Sequence, residues 1–550
     1  MATRTSRAAI LLMAILAIGA SGCDRTPTAS KQEKGDASGP VTGGTWIVGS
    51  IGDASTLLPL LATDSASQDI IGLVFCSLLR YGPDYEVLGD AAERYEILDG
   101  GLRIRIHLRK NVRWHDGEPV TVDDLVFTRQ VALDPKTPTP YRSSFEAISE
   151  LRKVDAYTAD YVYETTYAPA LNDLVGAAGS ILPRHLLEGK DLLTSPLQRN
   201  PVGCGPYRFR RWEAKREIEL VANNDWHRGR PNIDRYVYRI IPDQATMFLE
   251  LMNFGIDQMG LRPQQYARQT AAPRFRDNFR KFRYTGFNYT YLGYNLTRPL
   301  FQDIRVRRAI GHAIDREAIL KGVNFGLGQV ATGPYRPGMW YYKQVTADPA
   351  YDPGTAKDLL AAAGYTDHDG DGVIDRNGVP FKFEIVTNQG NLQRKQVAEI
   401  IQDSLRKLGI EVSIRIVEWS AFLEEFIYKK RFDAVILGWN TGIDPDQYDI
   451  WHSSRTGPRE FNFVGYRNPE VDELLIAGRR TFDKEQRKAI YGRFQDILAW
   501  EQPYTFLYIS DSLPAVHNRV RGIRLAEAGI MYNFEDWWIP RAQQGFHHKQ

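Results

Sequence analysis

An α/β fold is predicted for this 550-residue chain, with helices covering both faces of a sheet. Three observations carry the prediction. Between Val397 and Asn440 the apolar period runs helix, strand, helix, strand. Helix ends are written out in cap chemistry, with Asp303 ahead of Ile304, and Asp352 ahead of Pro353 with Gly364 beyond. Gly101 to Arg109 sets Leu102, Ile104, Ile106 and Leu108 strictly against Arg103, Arg105, His107 and Arg109, the two-residue period of a half-buried strand. In such a sheet a ligand crevice is expected where strands end.

The first segment precedes the fold. Arg4 and Arg7 lead into the apolar run Ala8 to Ile18, which stops at Gly19-Ala20-Ser21-Gly22-Cys23. That run is too short to span a bilayer, and small residues before a lone cysteine suit a peptidase that cuts ahead of a lipid-modified Cys23. Residues 1–22 therefore read as a signal peptide, with Ala20 standing where leucine is usual. Asp24 resembles the inner-membrane retention signal of Gram-negative lipoproteins. Residues 23–43, rich in Pro, Ser, Thr, Gly and Lys, bury too little to offset their ordering entropy and read as a lipidated flexible linker. The expected location is the periplasm, anchored by acyl chains to the inner membrane.

Next in order, Trp114 to Pro119 forms a turn and Thr121-Val122-Asp123-Asp124 caps a helix carrying Leu125, Val126 and Phe127. His115 beside Asp116 has the composition of a catalytic pair, but Asp116-Gly117 is turn chemistry and is read as such. Ile304, Ala309, Ile310, Ala313 and Ile314 share one helix face; Val397, Ile400, Ile401, Leu405 and Leu408 share another, stopped by Gly409. Ile410, Val412, Ile414 and Ile416 alternate as a strand. Ser420 is expected to cap a helix through Phe422, Phe426 and Ile427, and Phe432 to Leu437 is an apolar run ending in Gly438-Trp439-Asn440.

A net charge of +2 argues against a nucleic-acid surface, and 43% hydrophobic with 25% charged residues describes an ordinary globular protein. About 500 residues beyond the linker imply two to four domains. Cys76 and Cys204 are left after Cys23; a disulfide and two buried thiols fit the sequence equally. No His-Glu-x-x-His, Gly-x-Ser-x-Gly, Walker loop, Cys-x-x-Cys or dinucleotide fingerprint is present, so an enzyme is not expected. Asp367, Asp369, Asp371, the Val373 carbonyl and Asp375, with Gly372, have the spacing of a calcium loop, but Gly378 stands where the bidentate Glu belongs. The choice there is between an Asp-rich surface hairpin and a weak structural calcium site; no cofactor is required.

Against this background the chain resembles the family 5 extracellular solute-binding proteins, the oligopeptide, dipeptide and nickel receptors of ABC importers. The resemblance is carried by Leu108 to Thr121, Asn200 to Tyr207, Tyr291-Leu292-Gly293-Tyr294-Asn295, Asp303 to Ile310 with Ala313 to Arg316, and Phe432-Asp433-Ala434. It implies a two-lobed clamshell of the periplasmic-binding type with a subdomain inserted in the first lobe. The implied first lobe takes residues 44–83, 206–283 and 504–545, the insert 84–205 and the second lobe 295–503, with crossovers near Tyr284 to Tyr294 and near Tyr504. It also implies a monomer that captures short peptides between the lobes and delivers them to a membrane permease. Gly438, Trp439 and Asn440 are expected to line the ligand track, faced by Thr63, Asp64 and Ser65.

One position departs from the family. The peptide receptors carry an aspartate three places after the tryptophan, paired with the ligand's amino terminus; here that place is Gly442. Asp444 and Asp446 are the expected substitutes, with a solvated turn as the other reading. Trp340, Tyr341, Tyr342, Trp419, Trp439 and Trp451 keep an oligosaccharide or another small solute open as ligand. An envelope enzyme, or a sensor or chaperone using the same cleft, is the alternative of another class.

Overall fold

The computed structural model describes residues 39–175 and 179–545. The signal-peptide reading and Cys23 lie outside these residues.

Two large sheets organise the chain. The first has the order Phe279–Lys281, Pro514–His517, Gln258–Gly260, Thr45–Ser50, Arg235–Ile240, Glu217–Ala222, Tyr207–Glu213. Thr45–Ser50 at its centre runs parallel to both neighbours, and the outer pairs are antiparallel. The second has the order Tyr284–Thr285, Tyr504–Ser512, Asn288–Tyr294, Ala434–Asn440, Lys382–Asn388, Glu411–Val417. Its last three strands are parallel, separated by helices as the period switches require. Separate apolar cores lie against the two sheets, one around Trp46, Leu57 and Trp537, another around Ile310, Ile401 and Ile436. The chain is a two-lobed α/β clamshell.

Within the first lobe's insert, Ala92–Leu98, Arg103–Leu108, Thr158–Val162 and Glu150–Lys153 make a four-stranded antiparallel sheet. Ile104, Ile106 and Leu108 are buried as the alternation demands, while Arg103 and Arg105 turn to Asp160 on the other face. Thr121 and Asp124 form the expected reciprocal cap. His115 is no catalytic base: Gly203 N–H donates to its Nδ1 (3.3 Å) and its Nε2 lies 3.1 Å from the Gly205 carbonyl. Burial pushes its pKa down to about 4, so the neutral ring pins two stretches of backbone.

That pin adjoins a covalent one. Cys76 and Cys204 are joined in a disulfide with Cα atoms 5.2 Å apart, which resolves the open choice. Closing a loop across 128 positions restricts the unfolded chain more than the native one. Reduction with dithiothreitol is expected to lower stability by about 2–4 kcal/mol, read as a shift of the urea midpoint; an unshifted midpoint refutes this.

Helix caps fall largely where the sequence puts them. Asp303 and Asp352 cap Ile304–Ala313 and Pro353–Ala362 through their side chains, and Asn391, which the sequence reading did not single out, caps Leu392–Arg406. Ser420 is not a cap. Glu418 accepts from Ala421 N–H instead, and Phe422–Ile427 continues as a wide π-type turn.

The crossover near Tyr504 also moves. Tyr504–Ser512 pairs with Asn288–Tyr294 in the second sheet, where Tyr504 stacks on Tyr291 at 3.9 Å, so the chain returns to the first lobe only at Leu513. The outward crossing is Phe282 and Arg283, between Phe279–Lys281 of one sheet and Tyr284–Thr285 of the other. The reason is apolar continuity, since Tyr504 to Ile509 are all buried and a boundary there would expose them.

Candidate functional site: the cavity between the lobes

A cavity of about 540 Å³ opens between the lobes, a size that holds small organic ligands. The first lobe contributes the turn and helix from Thr63 to Asp69, together with Tyr141. Asp64 has the extended backbone of an N-cap and accepts from Ser67 N–H (2.9 Å) and Ser67 Oγ (2.7 Å), and from Ser55 Oγ. Its charge thus starts the helix Ser65–Val74, and Ser65 stays exposed at the cavity wall. Thr63 reaches across to the second lobe, its Oγ1 2.5 Å from Tyr428 OH. Burial pushes that phenol up to about 12, so the contact is between neutral groups.

The second lobe contributes the end of the strand Ala434–Asn440. On one side it pairs with Asn288–Tyr294 along its whole length. On the other, Lys382–Asn388 pairs only with Ala434 and Val435. From Leu437 to Asn440 that edge has no strand partner among the described residues and borders the cavity. Such an edge offers backbone N–H and C=O groups to an extended ligand. Trp439 packs against Phe461 at 5.1 Å and its Nε1 donates to Tyr504 OH at 3.4 Å, which fixes the indole as a wall. Gly438 is small for a reason: a β-carbon there would lie 3.0 Å from the Tyr289 carbonyl and 3.2 Å from Arg394 Nη2.

Thr63, Asp64, Ser65, Gly438, Trp439 and Asn440 all line the cavity. Asp444 and Asp446 do not, and their expected role as an ammonium clamp is corrected here. Asp444 accepts from Arg487 Nη2 (2.8 Å) and Nη1 (3.1 Å), and Asp446 accepts from Arg479 Nε (2.8 Å). Both carboxylates are already matched by arginines outside the cavity lining. Asp367, Asp369 and Asp371 lie together on an exposed loop outside the cavity, while Asp375 turns to His368 N–H and Gly378 N–H. Val373 is in the same loop, its N–H donated to Asp371. Of the aromatic candidates, Trp419 and Trp439 face the cavity; Tyr341 and Trp451 are core.

Among the cavity residues that the sequence reading missed, two carry charge next to its candidates. Asp69 lies one turn beyond Ser65 with its carboxylate open to the cavity. The side chain stays exposed at the cavity wall, and partial desolvation there, with the Asp64 charge second, raises its pKa. Arg394 lies in the first turn of Leu392–Arg406, where its Nη1 donates to Asn388 Oδ1 at 2.8 Å. Burial lowers its pKa. A signal for Arg394 existed: a cation in a helix's first turn opposes the macrodipole, so its presence there asks for another reason.

Residues 86–460 match the bacterial extracellular solute-binding proteins, family 5 Middle. The chain is 34% identical to the oligopeptide-binding protein AppA of Bacillus subtilis (strain 168) over 545 residues, 98% of this chain and 99% of that one. The structure of that protein in complex with a nonapeptide superposes with a TM-score of 0.87, covering 91% of this chain and all of the other. A periplasmic binding protein of Helicobacter pylori, DppA in complex with the peptide STSA, gives a TM-score of 0.81 at 26% identity, covering 91% of this chain and 98% of the other. With the profile spanning most of the chain and a relative matched end to end, this protein belongs to the family 5 bacterial extracellular solute-binding proteins.

Proposed function

We propose that this chain is the substrate-binding receptor of an ABC importer and that it captures short peptides in the cavity between its lobes. The observation that carries the reading is the strand edge Leu437 to Asn440, left without a strand partner where it borders the cavity. An extended peptide can add to it as a further strand, held by main-chain hydrogen bonds that are blind to side chains. The peptide-complexed relatives support the same ligand class.

Capture on this reading is conformational, needs no cofactor and includes no covalent step. A ligand drives closure only by binding the closed form better than the open one. The closed form here is spanned by Thr63–Tyr428, by Arg455 with Glu146 at 2.5 Å and by Arg479 with Ser143 Oγ at 2.9 Å. A permease that recognises the closed face then receives the ligand. We place the receptor as a monomer outside the cytoplasm, with Cys23 as lipid anchor and the residues after it as a leash; the end of the expected linker 23–43 already belongs to the fold, where Gly43 N–H donates to the Asn232 carbonyl.

Native mass spectrometry of the protein as purified tests the ligand class, since a closed clamshell retains what it binds. A ladder of short-peptide masses is the expected result. A single glycan or metal-chelate mass refutes the peptide reading while leaving the receptor. Gly438→Val is expected to weaken peptide binding at least tenfold, or about 1.4 kcal/mol, by pushing on the Arg394 guanidinium and the neighbouring strand. Calorimetric titration checks it, with near-UV circular dichroism as the control for folding.

A further inference from the structure

Charge is unevenly spread along the chain. Residues 262–283 hold six arginines and one lysine against a single acid, Asp277, whereas the whole protein balances to +2. Arg268, Arg274, Arg276, Lys281 and Arg283 are exposed. Of these Arg283 is matched, by Asp511 at 2.6 Å. The other four form no ion pair among the described residues. Arg274 Nε donates to the Met252 carbonyl at 2.9 Å, Lys281 Nζ donates to Thr270 Oγ1 at 2.8 Å, and Arg268 lies 4.9 Å over the Phe325 ring. Arg276 has no hydrogen bond among the described residues.

These cations follow one edge of the first sheet. Helix Pro273–Asn278 carries Arg274 and Arg276 and leads into Phe279–Lys281, the edge strand. Arg268 stands on the turn Gln265–Gln269, which Lys281 reaches through the Tyr266 carbonyl at 3.0 Å. A charged edge strand blocks unwanted pairing, but that accounts for Lys281 alone, since the three arginines are outside the sheet. The register adds a second observation. Phe279–Lys281 runs parallel to Thr45–Ser50 with two strands between them, so the end of Pro273–Asn278 faces the same end of the sheet as Thr45. Consecutive residues join the two: Asn518 N–H donates to the Asn278 carbonyl at 2.8 Å, and Arg519 Nη2 to the Thr45 carbonyl at 2.5 Å. At ordinary strand spacing the basic edge is about 15 Å from the strand at which the linker enters the fold.

We propose that this basic edge is a docking surface for the anionic phospholipid headgroups of the membrane that holds the protein. The proposal rests on the lipid-anchor reading above and extends it: an acyl chain fixes where the protein is, and the edge fixes which way it faces. As a coil, the roughly twenty residues after Cys23 reach on average about 25 Å, so the edge stays close to the surface. Each arginine or lysine brought to an anionic bilayer favours binding by a factor of about five. Four unmatched cations favour the docked orientation by roughly two to three orders of magnitude, less what Asp277 takes back. Guanidinium groups suit the task because their planar fork donates two parallel hydrogen bonds to a phosphate.

The experiment uses the chain from Asp24 onward, which retains every described residue and lacks the cysteine that would be acylated. Cosedimentation is measured with phosphatidylcholine vesicles and with vesicles of mixed phosphatidylglycerol and phosphatidylcholine. Binding is expected to the anionic vesicles alone. Raising salt from about 0.01 M to about 1 M cuts the screening length from about 30 Å to about 3 Å and is expected to release the protein. The triple variant Arg268→Gln, Arg274→Gln, Arg276→Gln is expected to bind about a hundredfold more weakly, with its thermal midpoint unchanged. The control triple Lys110→Gln, Lys136→Gln, Lys190→Gln removes the same net charge from exposed sites on the insert and is expected to bind as the wild type does. Equal binding to neutral vesicles, or equal losses in the two triple variants, overturns the proposal. An arginine triple variant that binds vesicles normally but loses the permease also overturns it and makes the edge a protein-docking surface. Uptake of an acyl label at Cys23 is read separately on the full chain, so failure of the anchor reading is distinguishable from failure of the edge.

Discussion

Replacing Asp257 by Ala is expected to cost the first lobe about 3–5 kcal/mol, the usual effect of stripping one partner from a buried ion pair. Arg519 and Asp257 have side chains 0% and 1% exposed. Arg519 donates to Asp257 through Nε and Nη2, both at 2.6 Å, and Nη2 also reaches the Thr45 carbonyl at 2.5 Å. The second Asp257 oxygen accepts from Ile47 N–H at 2.9 Å. The Asp257 carboxylate therefore joins the central strand, 210 positions before it, to Arg519, 262 positions after it. Denaturant unfolding of Asp257→Ala and Arg519→Met measures the loss. A double replacement by Leu and Met is expected to recover much of it, because the cost lies in the orphaned charge rather than in the absence of a bridge. A single-mutant loss below about 1 kcal/mol refutes the assignment.

Arg479→Met is expected to be the most damaging change between the lobes, again about 3–5 kcal/mol at neutral pH. Arg479 matches Asp446, stands 4.0 Å from Asp449, lies 3.9 Å over the Tyr448 ring and donates to Ser143 of the insert. Nearby, Asp173 accepts from Tyr167 OH at 2.6 Å. Burial pushes Asp173 up to about 7 and Asp449 up to about 6, both from 3.8. A carboxyl group raised in the closed form is protonated there before it is protonated in water. Its ionisation opposes closure, and this penalty is complete above pH 7 and relieved as pH falls from 7 toward 4. The closed interface is therefore expected to gain stability on mild acidification. The Arg479→Met deficit should be smaller at pH 5 than at pH 8, because protonated Asp449 needs no counter-ion. Ligand affinity and thermal midpoint at the two pH values decide; an equal deficit at both sinks the argument.

What the sequence made legible was local. The alternation Ile104, Ile106, Leu108 became a buried strand face, and Asp303 and Asp352 became caps, because each depends on neighbours a few residues away. Glu418 took the cap expected of Ser420 because the helix begins two places earlier and its side chain reaches the Ala421 N–H. Illegible features depend on distant partners. Asp444 and Asp446 look like free acids until Arg487 and Arg479 arrive from two later helices. The extent of the strand Tyr504–Ser512 likewise depends on Asn288–Tyr294, over two hundred residues upstream.

The two short crossings have a consequence for the order of assembly. The first sheet places Pro514–His517 between Phe279–Lys281 and Gln258–Gly260, so two strands from the middle of the chain are joined by one from near its end. A polypeptide emerging amino-terminus first cannot finish that lobe until nearly all of it has been delivered. Arg519, which fastens the same sheet, also arrives late. Vectorial delivery thus keeps the leading half incomplete, and the last few dozen residues act as the keystone whose arrival permits both lobes to lock.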